Sequence, residues 1–209
     1  MNMSGDTTDS WLKFLNPESL TQNLTRAAIF ITCWEMLKEA VVDQPRGFFT
    51  HEWRDGEGIP SPTYGTDVLS LNRDPLIASA LWFRNQGAIT DDDIRVLKVL
   101  RTHRNDIAHE LPKFLGDKAF DVQLDLLNTM FHFVEKIDKW WIQNIEIPTN
   151  PDFDDRELSE EVLDGVKSMR MVFMNLLVCV ANGNQTHLRQ IYEGFKKHID
   201  EEKGAKGKI

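Results

Sequence analysis

The stretch HRNDIAHEL, residues 103 to 111, sets Arg104 and His109 five positions apart, with Asn105 and Asp106 directly after the arginine. An imidazole exchanges its proton near neutral pH, which suits His109 to general acid or base work. A guanidinium keeps its charge and presents a planar fork that matches phosphate oxygens, which suits Arg104 to stabilising a phosphoryl group. Asn105 precedes His109 by one helical turn and is placed to orient its ring through a hydrogen bond. The same Arg and His spacing recurs from Arg46 to His51. Spacing alone therefore carries little weight, and the surroundings must decide.

The surroundings of the first copy are helical. Thr90 and Asp93 are spaced as a capping box, and Asp91, Asp92 and Asp93 stand at the positive end of the helix dipole that follows. Ile94, Leu97, Leu100, Ile107 and Leu111 then fall on one side of a helix, with Arg104 near the centre of that side. A buried guanidinium needs a carboxylate, a subunit interface or a cleft; Glu35, beside the apolar stripe of an earlier helix, is the candidate carboxylate. Lys98, Arg101, Asn105 and His109 form a second, polar face. Arg95, Lys98, Arg101 and Arg104 lie in a run, 95 to 104, that holds no acid, a local positive stripe of the kind a phosphate backbone seeks. Five residues separate Arg104 from His109 by about 140° on a straight helix. A kink or a second copy of the chain is needed to bring the two onto one group. His103, Asp106 and His109 spread over about 120° and do not converge on a metal.

The rest of the chain supplies helices and little else. Apolar residues recur at three- and four-residue steps over 20 to 42, 121 to 147, 156 to 181 and 186 to 200, and Asp74-Pro75 opens a further helix that Gly87 closes. The expected fold class is all-α, an antiparallel helical bundle over 20 to 147. The other expected parts are a lead-in at 1 to 19, a long irregular loop at 43 to 67, two extra C-terminal helices over 148 to 200, and a disordered tail at 201 to 209. In the loop, Phe48, Phe49, Trp53 and Tyr64 could stack bases, but loop aromatics more often pin a loop to the body, and that is the expectation here.

The composition of the 209 residues, 41% hydrophobic and 27% charged, is that of a globular protein in water. No run is long and apolar enough to cross a membrane, and the first ten residues carry no secretory signal, so the expected location is cytoplasmic with no membrane partner. Cys33 and Cys179 sit in apolar helical patterns and read as reduced core residues. A net charge of -9 excludes a generally basic nucleic-acid coat, so any such contact must come from a local patch.

Arg104-Asn105 followed by Ala108-His109-Glu110 on an amphipathic helix resembles the motif of the HEPN superfamily, the higher eukaryote and prokaryote nucleotide-binding domains. The resemblance spans the helices from about 20 to 147, with its specific part in RNDIAH. It implies a metal-independent endoribonuclease acting as a homodimer, with the two motifs meeting in one composite cleft. His109 would serve as base or acid around attack by the 2′-hydroxyl, leaving a 2′,3′-cyclic phosphate. Arg104 would stabilise the phosphoryl oxygens, Asn105 and Asp106 would orient the pair, and Lys98, Arg101 and His103 would contact RNA. The same resemblance implies a toxin or phage-defence role with an antitoxin or operon partner, and no cofactor or metal. The alternative is a noncatalytic module that binds RNA, a nucleotide or a protein. Leu111 stands where a subgroup of family toxins carries a modified tyrosine, so regulation of that kind is not expected.

Overall fold

The computed structural model describes residues 3–153 and 158–206. The chain is mostly helical, as its periodicity predicts. α1 (Met3–Leu15) leads into α2 (Pro17–Lys38), where Asn16 Oδ1 accepts the Glu18 and Ser19 backbone N–H groups and Pro17 starts the first turn. A π-helical turn over Glu39–Asp43 carries α2 into α3 (Gln44–Phe48). Pro45 thus sits in the first turn of α3, where its missing N–H costs little, and does not end the helix. The hairpin of β1 (Thr50–Arg54) and β2 (Glu57–Pro60) turns at Asp55 and Gly56, both at positive φ.

α4 (Pro62–Asp67) and α5 (Pro75–Asn85) come next, then α6 (Asp91–Gly116), which carries the motif. α7 (Leu124–Trp141) runs through a second π turn into α8 (Ile147–Thr149). α9 (Glu160–Gly165), α10 (Met169–Ala181) and α11 (Gln185–Lys206) complete the chain. α2 packs against α1, α6, α7 and α10, which makes it the central helix. Its Phe30, Cys33 and Leu37 meet Leu97, Leu100 and Ile107 of α6 and Leu127, Met130 and Ile137 of α7 in one core.

Several boundaries differ from those the sequence predicts. The lead-in contains α1, which packs on α2 and α6. The loop at 43 to 67 holds α3, the hairpin and α4. Phe48 stacks edge-on against Trp141 at 5.8 Å, and Phe49 contacts Tyr64 and Trp82 at 5.9 and 6.1 Å, so these aromatics do pin it. Trp53 is the exception, with 74% of its surface exposed. The helix expected over 156 to 181 is broken before Ser168, whose Oγ accepts the Met171 N–H at 3.0 Å and starts α10 afresh. α11 continues through Lys206, well into the segment expected as a disordered tail; 154–157 and 207–209 lie outside the described residues. Among the described residues, no helix is long and apolar enough to cross a membrane.

Candidate functional site: the motif face of α6

The start of α6 is fixed by the capping box expected there. Thr90 Oγ1 accepts the Asp93 N–H at 3.2 Å, and Asp93 Oδ2 accepts the Thr90 N–H at 2.9 Å. Lys136 Nζ donates to Asp93 Oδ1 at 2.6 Å and ties this end to α7. Near the other end Glu110 leaves the helical region (φ -121°, ψ 24°) two residues before Pro112, whose ring cannot sit against the preceding turn. This kink follows both Arg104 and His109. It therefore leaves their angular separation unchanged.

The buried side of α6 drifts around the helix. In its second half it passes through Leu100, His103, Ile107 and Phe114, which leaves Arg104 at the margin and not at the centre. His103 takes the inward place instead, with 6% of its surface exposed. Its ring stacks edge-on against Phe30 at 4.9 Å and Phe114 at 5.8 Å, and its Nε2 accepts the Gln123 N–H at 3.1 Å where α7 begins. Burial pushes the His103 pKa down, with the Asp106 carboxylate opposing. His103 is thus a neutral core residue that holds the start of α7. This corrects its expected place among the RNA contacts.

Arg104 lines a groove of about 410 Å³ with Trp34, Lys38, Asp74, Arg101 and Asn105. Its Nη2 donates to Glu35 Oε1 at 3.2 Å, and its Nη1 reaches Asn105 Oδ1 at 3.4 Å. Its Nε is buried without a hydrogen-bond partner among the described residues. Glu35, 47% exposed at the side chain, also accepts from Lys38 Nζ at 2.8 Å through Oε2. The Lys38 ammonium first, and the Arg104 guanidinium after it, hold the Glu35 carboxyl below its ordinary range. The carboxylate partner foreseen for Arg104 is present, but at the groove rim and not in the core.

Arg101 differs. Its two terminal nitrogens grip both oxygens of Asp74, whose Oδ1 also caps α5 by accepting the Leu76 N–H at 3.1 Å. The Arg101 guanidinium holds the Asp74 carboxyl below its ordinary range. Arg95 pairs with Asp92, so Lys98 alone of the four cations in the stripe has no ion-pair partner among the described residues. A run without acids in sequence is largely neutralised by acids from α2, the cap of α5 and the first turn of α6.

His109 and Asp106 are exposed, and neither has a hydrogen-bond partner among the described residues. Asn105 shares the polar face with His109 one turn on, but its Oδ1 is turned to Arg104. One chain therefore brings Arg104, Asn105, Arg101 and Lys38 together and leaves His109 apart. Lys38 escaped the sequence reading because it lies on another helix; its place four residues before Val42 on the face of Trp34 was the available signal. Among the described residues no group of His, Cys, Asp or Glu is arranged to hold a metal. No protein-family model, curated protein or solved structure matches this chain.

Proposed function

We propose that this chain is a HEPN-like, metal-independent endoribonuclease whose site is completed by a second copy. The observation that carries the reading is the division of labour along α6: Arg104 lines a groove with Lys38 and Arg101, while His109 is exposed, outside that groove and about 140° from Arg104 around the helix. A two-fold axis beside this face sets the histidine of each copy against the Arg104 of the other, so that the two motifs meet in one composite cleft. Arg104 holds the scissile phosphate, and its always-charged fork stabilises the added charge of the pentacoordinate state. His109 removes the 2′-hydroxyl proton, the oxygen attacks phosphorus, and the P–O5′ bond breaks; the departing 5′-oxygen takes a proton from water, leaving a cyclic phosphate and a free 5′-hydroxyl. Asn105 and Asp106 orient the pair, with Lys98 and Arg101 flanking. A role in toxin or phage-defence systems, with an antitoxin partner, belongs to the same proposal and rests on the motif's resemblance alone.

A specific observation favours the noncatalytic alternative. The Arg104 fork is already engaged by Glu35, as in a groove that binds RNA, a nucleotide or a protein without cutting. Incubating the wild type and His109→Ala with mixed RNA in EDTA separates the two. Cyclic-phosphate ends from the wild type, with a loss of about 100-fold or more in the variant, are the expected result. RNA left intact by a folded wild-type dimer overturns the nuclease and leaves the binding module.

A further inference from the structure

We infer that Glu35 is the displaceable occupant of an anion subsite built by Arg104, Lys38 and Asn105, and that an RNA phosphate enters the groove by replacing it. The inference rests on the reading of the groove as an RNA site. Glu35 Oε1 and Oε2 divide themselves between Arg104 Nη2 at 3.2 Å and Lys38 Nζ at 2.8 Å, so one carboxylate bridges two cations from different helices. A phosphodiester carries the same charge on two oxygens with a wider reach. Its oxygens can take the Arg104 fork and the Lys38 ammonium together, and the Asn105 amide is within the same lining.

The neighbouring arginine shows why Glu35 can leave. Asp74 holds Arg101 with both oxygens while also accepting an N–H at the start of α5, so moving it uncaps a helix. Glu35 caps nothing, touches each cation through a single oxygen, and keeps about half of its side chain in water. Exposed pairs of this kind add little to stability, so exchanging one anion for another is cheap. The carboxylate keeps the two cations apart from weaker anions until a polyanion arrives with neighbouring contacts of its own. Lys38 is thereby a phosphate ligand that the α6 motif does not contain.

The test is binding of a short fluorescein-labelled RNA with 2′-O-methyl groups throughout, which cannot be cut by 2′-hydroxyl attack, to the full chain and its variants over a salt series. Glu35→Gln is expected to tighten binding by about 3- to 10-fold, and Lys38→Gln to weaken it by a similar factor with a shallower salt dependence. Glu39→Gln, which removes the same charge one turn along and contacts neither cation, is expected to stay within about twofold of wild type. Unchanged or weaker binding by Glu35→Gln, or equal tightening by Glu39→Gln, overturns the displacement while Arg104→Gln still weakens binding. Wild-type affinity in Arg104→Gln, or no binding by any chain, overturns the RNA site and this inference with it.

Discussion

Two arginine–carboxylate clusters tie helices together in this protein, and they differ in almost everything except distance. Arg170 Nη1 meets Asp138 Oδ1 at 3.0 Å, and Arg104 Nη2 meets Glu35 Oε1 at 3.2 Å. Asp138 is 2% exposed, accepts a second hydrogen bond from the Ser168 hydroxyl, and shares Arg170 with Gln44 at 3.1 Å. Burial pushes its carboxyl above the ordinary range, and Ser168 and Arg170 pull against that shift. Glu35 stands half in water with its carboxyl shifted the other way. Where water is excluded every polar atom must be spoken for, and the cluster becomes a fixed joint of α7, α10 and the π turn; where water has access the partners can be exchanged. The first cluster reads as architecture and the second as a site.

The largest expected effect lies at the joint. Asp138→Ala leaves the mostly buried Arg170 guanidinium with only Gln44 and a distant Glu39 among the described residues, and a cost of about 3 to 5 kcal/mol in denaturant unfolding is expected. A cost below about 1 kcal/mol would place Asp138 with the exchangeable pairs and erase the contrast. His103→Ala comes next, at about 2 to 3 kcal/mol, because it opens a cavity between Phe30 and Phe114 and strands the Gln123 N–H.

His103 also gives the contrast a pH axis. Its folded pKa lies below its unfolded value, so on acidification the unfolded chain takes up the proton first. The stability it contributes is full above about pH 6.5 and is lost as pH falls towards its folded pKa. Wild type should therefore lose stability relative to His103→Gln on going from about pH 7.5 to about pH 5.5. Parallel stability curves for the two proteins would show that the ring is not held neutral.

Much of this could be read from the chain, and the misses have physical causes. Helical periodicity found the core stripes, and the residue pairs Thr90 with Asp93 and Asp74 with Pro75 marked two helix starts because caps are local. The Arg104 partner was legible too, since a cation beside an apolar stripe demands an acid and Glu35 was suitably placed. The hairpin was missed although Asp55-Gly56 is a strong turn signal, because β1 is exposed on both faces and neither strand has the alternation that marks a half-buried strand. His103 was misplaced because a helical wheel assumes a straight stripe, and here the stripe turns by most of a quadrant along α6. The Asp138 cluster was overlooked, although an acid between Val134 and Trp141 on an apolar face calls for a partner as clearly as Arg104 does. Its partner lies 32 residues away in a helix whose start depends on a serine cap.

The smaller effects decide whether exchangeability is graded. Asp74→Ala removes the bidentate partner of Arg101 and the cap of α5 together, and a loss of about 1 to 2 kcal/mol is expected. Glu35→Gln removes a pair whose two cations keep access to water, and its cost in stability should stay under about 1 kcal/mol, shrinking as salt is raised. The two variants each remove one carboxylate partner of a groove-lining arginine, so net charge cannot explain a difference between them. A Glu35→Gln protein as unstable as Asp74→Ala would mean that Arg104 is locked as firmly as Arg101. The groove would then be a structural seam, with no cation free to receive a phosphate.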